Sequence, residues 1–193
     1  MYKLILFDFD GTIADTINVG IPIFNKLARK HNFLEIKSID EVTQFSLDEF
    51  IKKHKISRIL FPFYFREFLK LLKQDIAKVK IYKGMKEVIK KLNKKYKLGI
   101  VSSNSKENIE KFLELNNLMS CFDFVLNYSL FFGKSKVFKK IMRKNKLEKN
   151  ELVYIGDEVR DIIAAKKAGI GIIAVVWGMN NKIILKRKKP SFI

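Results

Sequence analysis

Two aspartates separated by one residue, Asp8 and Asp10, carry the chemistry of the N-terminal segment. They follow a largely apolar run over residues 2–7 that is typical of a buried parallel strand. Gly11 and Thr12 come next, and the glycine permits a sharp turn. Because open α/β sheets bind ligands beyond the carboxyl ends of their strands, this pair predicts a functional site rather than a merely acidic loop.

Further polar groups follow strand-like runs later in the chain. Ser102 comes directly after a second apolar run, and Asp157 comes one residue after a third. Lys134 lies between them in sequence, and Asp161 follows Asp157 by four residues. Since the carboxyl ends of parallel strands meet at one edge of a sheet, we expect these side chains to share one cleft with the first two aspartates.

These residue types in one cleft suit phosphoryl transfer. Clustered carboxylates repel one another unless a cation joins them, and hard oxygen ligands beside a phosphate favour Mg²⁺. A lysine supplies a point charge for an anionic group, and a serine hydroxyl supplies a hydrogen-bond donor. One carboxylate can act as the nucleophile and form an aspartyl-phosphate, while a second carboxylate two residues further on can transfer a proton.

The ordered motifs resemble those of the haloacid dehalogenase (HAD) superfamily, and the resemblance covers essentially the whole chain. The segments that carry it are Asp8-x-Asp10-Gly11-Thr12, Ser102, Lys134 and Gly156-Asp157-x-x-x-Asp161. A helical insertion after the first strand is similar to the cap of the phosphoglycolate-phosphatase-like subgroup. Dehalogenases of this superfamily lack an acidic residue at the place of Asp10 and need no metal. The presence of Asp10 in this chain therefore implies phosphatase or phosphomutase chemistry.

The resemblance implies a role for each catalytic position. Asp8 would be the nucleophile and a Mg²⁺ ligand. Asp10 would protonate the leaving oxygen and then activate water, and its backbone carbonyl would also bind Mg²⁺. Ser102 would bind the phosphoryl group and Lys134 would neutralise it. Lys136 is a rival for the lysine role, but we favour Lys134 because Lys136 is expected to fall within the next helix.

The resemblance also implies further ligands. Asp157 would bind the metal directly, and Asp161 would bind it either directly or through another ligand. Asn104 and the backbone amides of Phe9 and Ser103 would contact the phosphate.

The elements that must position these groups alternate between strand and helix. Strand-like runs cover residues 4–7, 98–101, 124–126, 152–155 and 172–176, and helix-like runs cover 85–95, 106–116, 136–146 and 159–168. Each helix-like run places apolar residues at helical spacing with a polar opposite face. The alternation predicts an α/β fold with a doubly wound parallel sheet, resembling the Rossmann-like HAD core.

One segment breaks this alternation, because residues 16–83 show only helical patterning. We expect a core domain over residues 1–15 and 84–193 and an inserted helical cap domain over residues 16–83. We expect helices that open at Pro22, contain residues 47–51, and begin near residue 61 with Pro62 in the first turn. The aromatic residues of 61–68 fit the core of a small helical module better than a stacking platform for a base.

Substrate identity should be determined in this inserted segment. Four cations there are candidates for contacting the part of the substrate beyond the phosphate, although a surface position is expected for each: Lys52, Lys53, Lys55 and Arg58.

The amino-acid composition indicates in which compartment the protein works and which kinds of partner it binds. The formal charge of +19 comes from 39 basic and 20 acidic residues, and the basic residues are mostly lysines scattered along the chain. Because they are scattered rather than clustered on one segment, they do not predict a nucleic-acid partner. No apolar run is long enough for a membrane span, so no membrane partner is expected. Cys121 is the single cysteine, which excludes an internal disulfide and suits a cytoplasmic protein.

The sequence therefore predicts a Mg²⁺-dependent phosphatase acting on a small phosphomonoester, with phosphoglycolate as the family-level candidate. A sugar phosphomutase of β-phosphoglucomutase type is the alternative, because it would use the same residues. A second and more distant alternative is a basic nucleic-acid-binding protein on an inactive HAD fold. The oligomeric state is left open by the sequence.

Overall fold

A computed structural model describes residues 1–128 and 133–193. In chain order, the strands and α-helices are β1 (Leu4–Phe7), β2 (Ala14–Asp15), α1 (Thr16–His31), α2 (Asp40–Thr43), α3 (Leu47–Lys53), α4 (Phe61–Asp75), β3 (Lys80–Ile81), α5 (Met85–Asn93), β4 (Lys97–Ser102), α6 (Lys106–Leu115), β5 (Phe124–Asn127), α7 (Lys134–Asn145), β6 (Leu152–Gly156), α8 (Val159–Ala168), β7 (Gly171–Ala174) and α9 (Lys182–Arg187).

The central sheet has five parallel strands in the order β5-β4-β1-β6-β7. β1 lies in the middle, with Phe7 in register with Ile100 of β4 on one side and Ile155 of β6 on the other. The carboxyl ends of these three strands therefore lie side by side. The predicted α/β fold with a parallel sheet is confirmed.

The sheet is covered on both faces, which explains why β1 is apolar at every position. Ile5 and Phe7 pack into one apolar cluster, whereas Leu4 and Leu6 pack into a second. Successive side chains of a strand point to opposite faces, so a strand between two helix layers needs apolar residues at each position. Helices α5 and α6 contribute to the first cluster, and α7, α8 and α9 contribute to the second.

Some element boundaries differ from those that the sequence predicted. Helix α7 begins at Lys134, two residues earlier than predicted, after Gly133 with φ of +76°. Both Lys134 and Lys136 therefore lie in this helix. β7 ends at Ala174 rather than at residue 176. Within the two described ranges, no helix is long and apolar enough to cross a membrane.

Helices α1 to α4 lie between the short antiparallel strands β2 and β3. Helix α2 packs through Val42 in a small apolar cluster, whereas helices α1, α3 and α4 pack around a larger one whose buried members include Leu27, Ile51 and Phe61. The aromatic residues of α4 contribute to this cluster, as predicted for the core of a helical module. We call this segment, residues 16–83, the helical insertion.

Three details of the helical insertion were predicted wrongly. Helix α1 begins at Thr16, and Pro22 lies inside it, where the missing amide hydrogen removes one bond from the helix ladder. Helix α2 and strand β3 were not predicted, because elements of four and two residues are too short to show a periodic pattern.

Candidate active site

The turn after β1 brings the first two aspartates to the sheet edge. Asp8 is buried, and its Oδ1 accepts a hydrogen bond of 2.7 Å from the amide of Phe9. Gly11 adopts φ of +72°, which a residue without a Cβ adopts readily. A Cβ at Gly11 would also overlap the carboxylate of Asp157, so this turn and the end of β6 fit together only with glycine.

Lys134 lies at the centre of the site. Its buried Nζ donates to Asp8 Oδ2 at 2.6 Å, to Asp161 Oδ1 at 2.5 Å and to the Tyr154 hydroxyl at 2.7 Å. The hydroxyl of Tyr154 in turn donates to the carbonyl of Val101 at 3.0 Å. The three donors of the ammonium are thus satisfied, and the amine points at the predicted nucleophile.

The electrostatics of this group keep Lys134 and Asp8 charged. Burial alone would lower the pKa of Lys134, but the carboxylates of Asp161 and Asp8 reverse that effect and hold the pKa well above its ordinary value. Burial would raise the pKa of Asp8, yet the Lys134 charge brings it below the ordinary value. Asp8 is therefore ionised, which is the state that a nucleophile needs.

Asp10 lies in a different environment. Its Oδ1 accepts from Asn104 Nδ2 at 2.8 Å, and its Oδ2 accepts from the Ser102 hydroxyl at 3.4 Å. Burial, followed by the negative charge of Asp8, raises the pKa of Asp10 to about 6. Two neighbouring carboxyl groups therefore titrate apart, as expected for a nucleophile beside a proton donor and acceptor.

Asn104 and Ser103, which were predicted to contact the phosphate, lie near Asp10 and differ in how deeply they are buried. Asn104 is buried, and its Oδ1 accepts from the amide of Ser105 at 2.8 Å and from Asn108 Nδ2 at 2.9 Å. The Ser102 hydroxyl accepts from the Asn104 amide at 3.3 Å. Ser103 is half-buried and lines a cavity together with Asp10. The side chain of Asn104 thus orients Asp10 in this structure.

Asp157 follows β6 and is fully buried. Its Oδ1 accepts from the Thr12 hydroxyl at 2.7 Å, and its Oδ2 accepts from the amide of Met179 at 2.7 Å. Burial, followed by the negative charges of Glu158, Asp161 and Asp8, raises the pKa of Asp157 well above its ordinary value. A cation next to this carboxylate would favour its ionised form.

Both carboxylate oxygens of Asp161 are already bound. Oδ1 contacts Lys134, while Oδ2 accepts from the amides of Asp157 at 3.2 Å and Glu158 at 3.0 Å. The second set of bonds closes a capping box at the start of α8. Asp161 therefore fixes Lys134 and the β6–α8 turn relative to each other.

A divalent cation fits this edge of the sheet. Asp8, Asp157 and Asp161 each offer a carboxylate oxygen, and these oxygens lie within 4.8 Å of one another. Carboxylate oxygens are the ligands that hard cations such as Mg²⁺ prefer. Lys134 pairs with Asp8 and Asp161 but not with Asp157, so a further positive charge would relieve the remaining repulsion at Asp157.

Two residues at the site, Tyr154 and Asn180, have roles that the sequence did not predict. Tyr154 was treated as part of a buried strand, and its polar hydroxyl in an otherwise apolar run was the available signal. The Oδ1 of the buried Asn180 accepts from the amide of Val159 at 2.9 Å, and its Nδ2 donates to the carbonyl of Phe45 at 2.9 Å. Asn180 thus ties the start of α8 to the helical insertion, and no local pattern indicates that contact.

The four candidate cations of the helical insertion lie on its surface. Arg58 pairs with Asp48 at 3.1 Å, with both side chains largely exposed. Lys53 pairs with Glu41 at 3.4 Å, and Lys52 and Lys55 are exposed.

Comparison with known proteins gives consistent results across nearly the whole chain. A sequence model described as haloacid dehalogenase-like hydrolase matches residues 5–175. The chain is 27% identical to a phosphoglycolate phosphatase of Synechococcus elongatus, over 99% of this chain and 92% of the relative. It is 25% identical to the pyrophosphatase PpaX of Bacillus mycoides, over 98% of this chain and 90% of the relative.

The fold matches that of solved structures. A haloacid dehalogenase-like family hydrolase from Streptococcus pneumoniae superposes with a TM-score of 0.83 at 19% identity. The match covers 100% of this chain and 93% of that protein.

Proposed function

Because this chain belongs to the haloacid dehalogenase-like hydrolase family, we propose that it is a Mg²⁺-dependent phosphatase that hydrolyses a small phosphomonoester through an aspartyl-phosphate. The observation that carries the proposal is the pairing of an ionised Asp8, 2.6 Å from Lys134 Nζ, with an Asp10 whose pKa is raised to about 6. One carboxyl group is kept charged to attack, and its neighbour can exchange a proton near neutral pH.

In the first step, a carboxylate oxygen of Asp8 attacks phosphorus, and the bond from phosphorus to the leaving oxygen breaks. Asp10 donates its proton to that oxygen, so that the alcohol leaves neutral. Lys134 and the Ser102 hydroxyl stabilise the negative charge of the phosphoryl oxygens. Positioning and charge neutralisation are the main demands of such a transfer.

In the second step, the ionised Asp10 removes a proton from a water molecule, whose oxygen attacks phosphorus. The bond between Asp8 and phosphorus breaks, which releases inorganic phosphate and restores the carboxylate. Asn104 holds Asp10 at 2.8 Å in the orientation that both transfers need. The backbone amide of Ser103 would donate to the phosphate, and so would that of Phe9, which donates to Asp8 Oδ1 in the free protein.

Asp8, Asp157 and the backbone carbonyl of Asp10 would hold Mg²⁺, which would supply positive charge to neutralise the phosphate. Asp161 also lies close enough to be a ligand, and its oxygens accept hydrogen bonds from Lys134 and from backbone amides. Whether or not it binds the metal, we assign Asp161 a positioning role for Lys134 and for the turn that carries Asp157.

We also propose that the helical insertion is a cap domain over residues 16–83, with the core domain formed by residues 1–15 and 84–193. The separate apolar cluster of helices α1, α3 and α4 supports this division. The phosphoglycolate phosphatase among the relatives makes phosphoglycolate the first natural compound to assay. A cytoplasmic location fits the single, buried and unpaired Cys121.

Phosphate release from p-nitrophenyl phosphate tests the mechanism, with Mg²⁺ and then with excess chelator. We expect metal-dependent release that the Asp8→Asn variant loses by at least about a thousandfold. Asp48→Asn is the matched control, because that aspartate lies on the helical insertion with 80% of its side chain exposed. A covalent phosphate on the wild-type protein that is absent from Asp8→Asn would identify the nucleophile.

Two outcomes would redirect the assignment. Turnover of sugar phosphates that depends on a bisphosphate activator would indicate the phosphomutase alternative. Absence of phosphate release from folded protein across several metals, together with salt-sensitive binding to nucleic acid, would contradict the phosphatase proposal.

A further inference from the structure

A cavity of about 190 Å³ extends from the candidate active site into the helical insertion. Asp10, Ser103 and Arg160 line it at the catalytic end. Most of its remaining wall is apolar and aromatic, and half-buried side chains contribute much of it: Ile21, Phe24, Leu47, Phe50 and Phe68. The group attached to the phosphoryl oxygen would therefore meet hydrocarbon rather than polar side chains.

The charged groups of the cavity wall are concentrated at that catalytic end. Arg160 lines the cavity but already pairs with Glu158, whose Oε1 lies 2.5 Å from its Nη2. Lys52, Lys53, Lys55 and Arg58 were the cations predicted to contact the substrate. None of these four is among the described residues that line the cavity. The Nε of Arg160 has no hydrogen-bond partner among the described residues, so one cationic donor remains at the catalytic end. A second anionic group deeper in the cavity would lose its hydration against apolar side chains without gaining a cation, which is costly.

The dimensions suit an apolar group of moderate size. Apolar cavities of about 150 Å³ in protein interiors accept a molecule as large as benzene. Transfer of each methylene from water to such a wall is favourable, and the gain corresponds to roughly a fourfold change in an equilibrium or rate constant.

We propose that the substrate is a phosphomonoester whose alcohol carries an apolar aliphatic or aromatic group that fills this cavity. This inference rests on the phosphatase function proposed above and narrows its substrate class. Small hydrophilic esters, phosphoglycolate included, bind without using the apolar wall.

A series of straight-chain alkyl phosphates from ethyl to hexyl tests the inference, because the leaving alcohols differ little in acidity while the apolar length grows. We expect kcat/KM to rise about two- to fourfold per methylene and to exceed the value for phosphoglycolate at the hexyl end. A series that is flat, or a higher kcat/KM for phosphoglycolate than for hexyl phosphate, would overturn the inference.

A variant that fills the cavity identifies where the preference arises. Ile21→Trp should flatten the series, so that hexyl and ethyl phosphate differ by less than about threefold in that variant. Ile59→Trp is the matched control, since Ile59 lies in the helical insertion with 89% of its surface exposed and should keep the wild-type slope. Leu47→Phe is a second filling variant should Ile21→Trp not fold, as judged by thermal unfolding. A wild-type slope in a folded filling variant would overturn the placement of the alcohol in this cavity.

The two proposals fail in different ways. Release from p-nitrophenyl phosphate but no dependence on alkyl length would leave the phosphatase function intact and refute the apolar substrate class. Absence of release from every ester by folded protein would refute both.

Discussion

Replacing Tyr154 with phenylalanine removes one oxygen from the centre of the site. That hydroxyl accepts from Lys134 Nζ at 2.7 Å and donates to the carbonyl of Val101 at 3.0 Å. The aromatic ring stays, including its packing against Phe138 at a centroid distance of 4.7 Å. The variant therefore tests two hydrogen bonds with little change in apolar packing.

The expected magnitude follows from those two bonds. A hydrogen bond to a charged group contributes about 1.5–3 kcal/mol, and a neutral one contributes about 0.5–1.5 kcal/mol. Tyr154→Phe should thus lower the free energy of unfolding by about 2–4 kcal/mol. For a chain of this length each kcal/mol shifts the melting temperature by about 2–4 °C, so we expect a decrease of about 4–16 °C.

Activity should fall less than in a variant of the lysine itself. Asp8 and Asp161 still hold Lys134, so kcat should decrease by roughly tenfold, which is the equivalent of about 1.4 kcal/mol. Urea unfolding and steady-state kinetics with p-nitrophenyl phosphate measure the two effects. Tyr96→Phe is the control, because Tyr96 is half-buried and its hydroxyl has no hydrogen-bond partner among the described residues. Equal stability and equal kcat in Tyr154→Phe and wild type would refute the central role given to this network.

Three further perturbations test other parts of the structure. In Gly178→Ala the new Cβ would overlap the carboxylate of Asp157, so the Mg²⁺ concentration for half-maximal activity should rise about 10- to 100-fold. Asn180→Ala should lower the free energy of unfolding by about 1–3 kcal/mol, as measured in urea, because it leaves buried backbone groups without partners. Hydrogen bonds from Lys30 and then His31 hold the pKa of Glu67 below its ordinary value of 4.5. Glu67→Gln should therefore cost less than about 1 kcal/mol at pH 7, and the difference from wild type should vanish as the pH falls through the lowered pKa.

Matched substitutions at Gly171 and Asn150 serve as controls for the first two variants. Gly171→Ala should leave the Mg²⁺ response unchanged, since its Cβ meets mainly the movable end of Tyr2 at 3.2 Å, and an unchanged response in Gly178→Ala would contradict the steric argument. Asn150→Ala alters an exposed asparagine, and an equal effect in both asparagine variants would show a nonspecific cause. A stability difference for Glu67→Gln that persists to pH 3 would contradict an electrostatic origin.

Much of the architecture was predictable from local patterns. The apolar runs at residues 4–7 and 152–155 became β1 and β6, and the run at 159–168 became α8 with the predicted bounds. The family and the parallel sheet were predicted correctly from the motifs and the alternation of elements. These features depend on residues that are near one another in sequence. There, apolar side chains that recur every two or every 3.6 residues indicate a strand or a helix with one buried face.

The detailed surroundings of the site were not predictable in this way. Lys134 and Asp8 lie 126 residues apart in the chain, and motif order predicted that they meet but not that Tyr154 shares the lysine. The bond from Lys134 to Oδ1 of Asp161 likewise depends on where helix α7 begins. A start at Lys134 rather than two residues later places the ammonium beside the carboxylates.

The sequence by itself determined the sheet, the family and the charged groups at its edge, because strand periodicity and short motifs are local properties. Only the tertiary structure decided what surrounds those groups. The apolar cavity arises where helices α1, α3 and α4 pack beside Asp10 and Arg160, and the link from Asn180 to Phe45 spans 135 residues. Such neighbours are selected by close packing of distant segments, so no single stretch of sequence contains them.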